Sequence, residues 1–126
     1  MDLSRILLVG IGGFLGSVAR YATVRAVDAR FNQAFPFGTI AVNVSGCFLL
    51  GIIVGLTGRQ AVGGEAWRTF LGVGFCGGFT TFSAFALENH NLLTDRMIGV
   101  AGLYIIASVT LGILAMFLGL WCARFL

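Results

Sequence analysis

Four long stretches of the chain carry no charged residue, and short polar stretches separate them. The uncharged stretches cover residues 6–19, 31–58, 69–87 and 97–123. The first extends to about residue 26 if Arg20 is tolerated within it. A helix needs about 20 largely apolar residues to cross the hydrocarbon core of a bilayer. The pattern therefore predicts an all-α membrane protein with four transmembrane helices, numbered here as predicted helices 1 to 4. We expect a single domain over residues 1–126, with loops near residues 28–36, 59–66 and 91–96.

Composition excludes several classes of protein. Hydrophobic residues make up 58% of the chain and charged residues only 10%, whereas soluble domains average about 25% charged residues. A soluble enzyme, a disordered tail and a disulfide scaffold are therefore excluded. The eight arginines are scattered singly, so no basic stripe exists to bind nucleic acid. Three isolated cysteines fall in apolar runs, where we interpret them as packing residues: Cys47, Cys76 and Cys122.

The arginines are divided almost evenly between the two sides of such a four-helix bundle. One side holds Arg5, Arg59, Arg68 and Arg124, and the other holds Arg25, Arg30 and Arg96, with Arg20 near its interface. The positive-inside rule needs a bias to set orientation, and this chain has almost none. We therefore expect it to insert both ways and to form an antiparallel, dual-topology homodimer.

Two glycine pairs with four-residue spacing occur in the predicted helices. Gly12 and Gly16 form one pair, and Gly51 and Gly55 form the other. Such small-xxx-small pairs let helix backbones approach each other closely in lipid. We interpret them as packing sites that also suggest an oligomer.

Predicted helix 3 contains a run of poor helix formers near its middle. Gly77 and Gly78 are followed by Thr80 and Thr81. One interpretation is a helix broken near residues 77–81, whose freed carbonyls could coordinate a cation. The other is a continuous helix packed through its glycines. Both remain open on these residues alone.

Aromatic and polar side chains accompany this run. Phe82 and Phe85 lie one turn apart; they are either packing residues or present their positive ring edges to an anion. Asn43 is either a hydrogen-bonding link between helices or a donor to an anion, because its amide has two N–H groups. Tyr104 and Ser108 form a short hydroxyl track on predicted helix 4.

Two charged residues lie close to the predicted spans. Glu88 follows Phe85 by one turn, and we interpret it as interfacial. Arg20 is expected to extend to the membrane surface or to concentrate anions at an entrance. No basic side chain lies deep in the spans, and a pore lined by neutral donors can hold an anion without trapping it.

Three stretches together resemble the Fluc/CrcB fluoride channels. They are GGFLGSVARY at residues 12–21, PFGTIAVNVSGCFLLG at residues 36–51 and GFCGGFTTFSAF at residues 74–85. The resemblance covers nearly the whole chain. It implies a channel, not an enzyme, that passively exports fluoride across the bacterial cytoplasmic (inner) membrane. It also implies an antiparallel homodimer in the lipid with two pores and one buried central sodium ion.

The resemblance also implies roles for individual residues. The backbone carbonyls of Gly77 and Thr80 would bind the structural Na⁺. The fluoride pore would comprise Asn43, Phe82, Phe85, Ser108, Tyr104, Thr39, Thr81 and Ser83, and the vestibule would comprise Arg20 and Glu88. Some members carry a hydroxyl one turn after Ser108, where this chain has Gly112.

Two other functions explain the same residues less well. A proton-coupled exporter similar to the small multidrug resistance proteins needs a carboxylate deep in predicted helix 1, but no acid occurs between Asp2 and Asp28. A scaffold subunit would need only the glycine faces, and it leaves the combination of Asn43, Thr80 and Phe82 unexplained.

Overall fold

A computed structural model describes residues 2–31, 34–58 and 64–126. Its helices are α1 (Leu3–Asp28), α2 (Phe37–Thr57), α3 (residues 64–79), α4 (Ser83–Thr94) and α5 (Ile98–Cys122). The helix α3 begins with Gly64–Trp67, continues as a π-helix over Arg68–Cys76 and ends with Gly77–Phe79. Within the described ranges there is no strand.

Four spans are long and apolar enough to cross a membrane, as predicted. They are Leu3–Asp28, Phe37–Thr57, Gly64–Thr94 and Ile98–Cys122, with mean hydropathies of 1.5, 2.1, 1.6 and 2.3. The third span comprises α3 and α4. It continues beyond the predicted limit at residue 87, because polar residues can extend a helix once it has left the hydrocarbon. The loop expected near residues 91–96 shrinks to a tight turn in which Arg96 has a positive φ of 59°.

Acidic side chains mark where the first two helices begin. Asp2 caps α1 by accepting a hydrogen bond from the backbone N–H of Ser4 at 3.1 Å. Hydrogen bonding by the Ser4 hydroxyl and by this N–H lowers the pKa of Asp2. Pro36 precedes α2 and supplies no side-chain cap. Asp28, at the end of α1, instead accepts from the N–H of Gly38 at 2.9 Å. This bond holds the start of α2 against the end of α1.

Both glycine pairs are used for packing within the chain. A Cβ added at Gly16 of α1 would lie 2.8 Å from the backbone nitrogen of Phe79 in α3, and one at Gly12 would meet the same helix. A Cβ at Gly55 of α2 would lie 2.5 Å from the Cβ of Ala123, beyond the end of α5. The pairs therefore bring α1 onto α3 and α2 onto α5. Since neighbours in the same chain already occupy them, they do not point to an oligomer.

The helix conformation stops between α3 and α4. Thr80 has φ −86° and ψ 161°, which is extended backbone, and Ser83 begins the next helix. Residues 80–82 therefore form a short non-helical link inside the third span.

The expected loop at residues 59–66 is described only from Gly64 onward. Arg59 lies outside the described residues.

Candidate ion site

The link at residues 80–82 changes the partners of the local backbone. In a continuous α-helix the N–H of Thr81 would donate to the carbonyl of Gly77, and the N–H of Ala84 to the carbonyl of Thr80. Here the N–H of Thr81 donates to Oδ1 of Asn43 at 2.8 Å, and the N–H of Ala84 to Oγ1 of Thr81 at 3.2 Å. The carbonyls of Gly77 and Thr80 thus lose their usual intrahelical donors.

Asn43 makes a reciprocal pair of hydrogen bonds with the backbone of Thr81. Besides accepting from the N–H, it donates an Nδ2–H to the carbonyl of Thr81 at 3.0 Å. The link between helices that the sequence allowed is therefore present. A carboxamide has two N–H groups, so one donor of Asn43 remains for another partner.

Two side chains from the first of the three stretches, residues 12–21, form hydrogen bonds with the end of α3. Arg20 donates its Nε–H to the carbonyl of Gly78 at 3.0 Å, and the hydroxyl of Ser17 donates to the same oxygen at 3.5 Å. A cation at a helix C-terminus is favoured by the helix dipole. The guanidinium of Arg20 is therefore held on the end of α3, and its expected extension to the membrane surface stays a prediction. Sequence reasoning missed Ser17, although its position three residues before Arg20 on the same helix face was a usable signal.

Glu88 accepts hydrogen bonds from two buried hydroxyls. Oγ1 of Thr39 lies 2.7 Å from its Oε1, and the hydroxyl of Tyr104 lies 2.6 Å from its Oε2. Thr39 is 2% exposed and Tyr104 is fully buried, and hydrogen bonds to a carboxylate are short and strong. Glu88 is therefore more than an interfacial residue, and Tyr104 is not a free hydroxyl donor. Glu88 and Arg20 both line a cavity of about 250 Å³.

Thr81 and Ser83 interact with each other where α4 begins. Their hydroxyl oxygens lie 3.2 Å apart, and Oγ1 of Thr81 accepts the N–H of Ala84. The Thr81 side chain therefore supports the backbone at the start of α4. The hydroxyl of Thr80 donates to the carbonyl of Cys76 at 2.9 Å, which keeps it on α3.

The two phenylalanines stand side by side at the start of α4. The ring centroids of Phe82 and Phe85 are 5.6 Å apart at an interplanar angle of 42°, and Phe85 lies 5.0 Å from the ring of Tyr104. Phe82 is 79% exposed. It lines an open groove of about 470 Å³ together with Asn43 and Thr80.

Ser108 has a buried hydroxyl without a partner. Its Oγ and the Oδ1 of Asn89 are the buried side-chain polar atoms that lack a hydrogen bond within the described ranges. An unpaired buried polar group calls for an explanation, such as a ligand or water. Of the predicted track on α5, Ser108 is thus the member whose hydroxyl is available.

No group of three metal-ligating side chains occurs in the part of the chain that the structure describes.

Comparison with known protein families identifies the family of this chain. The family model described as "CrcB-like protein, Camphor Resistance (CrcB)" matches residues 7–120. The chain belongs to the CrcB family. Its three stretches meet in the third span: Arg20 bonds to Gly78 at the end of α3, and Asn43 bonds to Thr81 in the link.

Several relatives of this CrcB-family chain carry the name "Fluoride-specific ion channel FluC". The protein from Chlorobium chlorochromatii is 46% identical over 123 residues, covering 98% of this chain and 95% of the relative. The protein from Caulobacter vibrioides is 45% identical over 123 residues, covering 97% of each. The protein from Novosphingobium aromaticivorans is 47% identical over 118 residues, covering 92% and 93%.

Proposed function

We propose that this chain is a channel that conducts fluoride passively across the bacterial cytoplasmic membrane and so lowers its internal concentration. The observation that carries the proposal is the similarity, over nearly the whole chain, to relatives named fluoride-specific ion channels. The exporter alternative needs a membrane-embedded carboxylate in α1, which has none between Asp2 and Asp28.

The hydrogen bonds of the site limit which groups can donate to fluoride. Thr39 and Tyr104 have committed their hydroxyls to Glu88. The donors that remain are the second N–H of Asn43, the hydroxyl of Ser108 and one hydroxyl of the pair Thr81 and Ser83. The rings of Phe82 and Phe85 add their positive edges. None of these groups carries a full charge, so a bound anion can leave as readily as it enters.

A structural sodium ion fits the backbone at the link. Na⁺ is a hard cation, and such ions prefer oxygen ligands. The carbonyls of Gly77 and Thr80 are the two whose usual donors, the N–H groups of Thr81 and Ala84, bond elsewhere. Asn43 would stabilise this exposed backbone, and the ion would supply a positive charge that holds the carbonyls together.

The proposed assembly is an antiparallel homodimer in which the third span is broken near residues 77–81. Two observations support it: the nearly equal division of arginines and the exposed side chains of Val73 and Phe82 along α3 and the link. In single-cysteine variants made without the native cysteines, we expect a cysteine near the N-terminus to be labelled from both sides of the membrane. Labelling from one side alone would contradict the dual topology.

Ion efflux from liposomes tests the function. Vesicles that hold the purified protein and are loaded with fluoride should release it much faster than protein-free vesicles. The same vesicles loaded with chloride should release it no faster than the protein-free control. Equal release of both anions would contradict selectivity, and no fluoride release would contradict the function.

A further inference from the structure

The helices α2 and α5 pack side by side and run in the same direction. A Cβ added at Gly51 of α2 would lie 3.0 Å from the Cα of Gly119 in α5. One added at Gly55 would lie 2.5 Å from the Cβ of Ala123, just beyond the end of α5. The later residue of α2 thus contacts the later residue of α5. Because both helices rise by the same amount per residue, equal steps along them keep their residues level.

Two further contacts fix the register of these helices near the ion site. Thr39 of α2 and Tyr104 of α5 meet at Glu88, where each donates its hydroxyl to one of the two carboxylate oxygens. Two turns later, the Sγ of Cys47 lies 3.6 Å from the position that a Cβ of Gly112 would occupy. Eight positions separate the two contacts on each helix, so the register is the same at both.

Asn43 and Ser108 lie midway between these two contacts, four positions from each on their own helices. They are therefore level with each other, on the faces that carry the contacts. Asn43 keeps one N–H beyond the one that it donates to the carbonyl of Thr81. The buried hydroxyl of Ser108 has no partner within the described ranges. Two donors at one level without a protein acceptor indicate a ligand that accepts hydrogen bonds.

Cys47 adds a third donor, one turn beyond Asn43 on the same face of α2. It is a free cysteine and partly exposed, and among the described residues its thiol donates to no other group. An S–H group is a weak hydrogen-bond donor. Gly112, on the opposite helix, has no side chain that could accept this hydrogen or fill the space beside it.

We propose that Cys47 lines the fluoride path one turn beyond Asn43 and Ser108, where its S–H group donates a hydrogen bond to the passing ion. This role rests on the proposed fluoride conduction and adds a donor to that same path. A weak, neutral donor suits the position, because an anion held by such groups can move on. The interface of α2 and α5 then carries polar groups at three successive levels, which begin at Glu88 and end at Cys47.

Fluoride efflux from liposomes tests the donor. Cys47→Ala removes the S–H group and should slow efflux about threefold or more. Cys47→Ser keeps a donor and should release fluoride at least as fast as the parent. Cys122→Ala, at a thiol outside this register, is the matched control and should behave like the parent. Equally slow efflux from Cys47→Ser and Cys47→Ala would overturn the proposal, because both substitutions remove the sulfur from the packing.

A second substitution distinguishes a lost donor from lost packing. In the Cys47→Ala background, Gly112→Ser would place a hydroxyl beside the space that the sulfur occupied, and efflux should recover. Gly112→Ala in the same background adds the Cβ without the hydroxyl, so it should restore nothing. Equal efflux from the two double variants would overturn the donor role.

Infrared difference spectroscopy tests contact between fluoride and the thiol without reference to transport. A hydrogen bond lowers the stretching frequency of an S–H group, whose band lies where other protein groups absorb little. Replacing chloride by fluoride should shift this band in the parent and in Cys122→Ala, and the shift should be absent in Cys47→Ala. An unshifted band in the parent would overturn the proposal. Absence of fluoride efflux from the parent would contradict the proposed function instead, and the band would still decide whether fluoride reaches Cys47.

Discussion

Substitution of Asn43 by alanine removes both hydrogen bonds that hold the backbone of Thr81 in the link between α3 and α4. The N–H and the carbonyl of Thr81, bonded at 2.8 and 3.0 Å in the parent, would both lose their partner. Leaving one buried polar group unpaired costs about 1–3 kcal/mol. Because both bonds are only partly buried, we expect Asn43→Ala to lower the free energy of unfolding by about 1–3 kcal/mol.

Substitution of Asn43 by aspartate tests the two hydrogen bonds separately. Asn43→Asp keeps an oxygen for the N–H of Thr81 but, when ionised, sets a second acceptor against the Thr81 carbonyl. A protonated carboxyl has an O–H that can donate to that carbonyl. The Asn43→Asp variant should therefore recover stability as the pH falls, and Asn43→Ala should not.

Equilibrium unfolding in detergent micelles, followed by tryptophan fluorescence, measures these changes. Asn91→Ala is the matched control, because Asn91 is an exposed amide on α4 and exposed substitutions usually change stability by less than about 0.5 kcal/mol. If Asn43→Ala destabilises the protein no more than Asn91→Ala, the reciprocal bonds do not stabilise the link and the reasoning is refuted.

Three further substitutions test packing and conduction separately. Gly12→Ala should lower the free energy of unfolding by about 1–3 kcal/mol, because its Cβ meets the α3 backbone. Gly10→Ala, which meets nothing, is the control, and equal unfolding energies would refute the close packing. Phe82→Ile should reduce fluoride efflux about tenfold, which corresponds to about 1.4 kcal/mol in the barrier. Phe117→Ile, which also changes an exposed ring, should leave efflux unchanged. Equal efflux from both variants would make Phe82 a packing residue. Ser108→Ala should reduce efflux without loss of stability, since its hydroxyl has no protein partner to lose, and a clear fall in unfolding energy would contradict that.

The four spans could be predicted because the bilayer makes a simple demand on the sequence. A helix that crosses the hydrocarbon core must be long, apolar and free of exposed charge, and the uncharged runs meet that demand. The end of the third span was placed too early, at residue 87 instead of Thr94. Charge marks where the hydrocarbon ends, but a helix can continue into water.

The three stretches that indicate the family could also be recognised in the sequence. Matches at residues 12–21, 36–51 and 74–85 lie within the region that the CrcB family model covers. Recognising these stretches did not reveal which of their residues form hydrogen bonds with each other. Asn43 was equally compatible with a link between helices and with an anion donor, and only its contact with Thr81, 38 positions away, assigned one of its donors.

Tertiary structure decided the partners of the other polar groups. Glu88 bonds to Thr39, 49 positions away, and to Tyr104, 16 positions away. Gly12 and Gly16 contact α3 of the same chain. Local sequence determines whether a segment is a helix and which residues share its face. The depth and rotation at which two helices meet depend on the packing of all the spans, so hydrogen-bond partners and glycine contacts exist only once the helices are assembled.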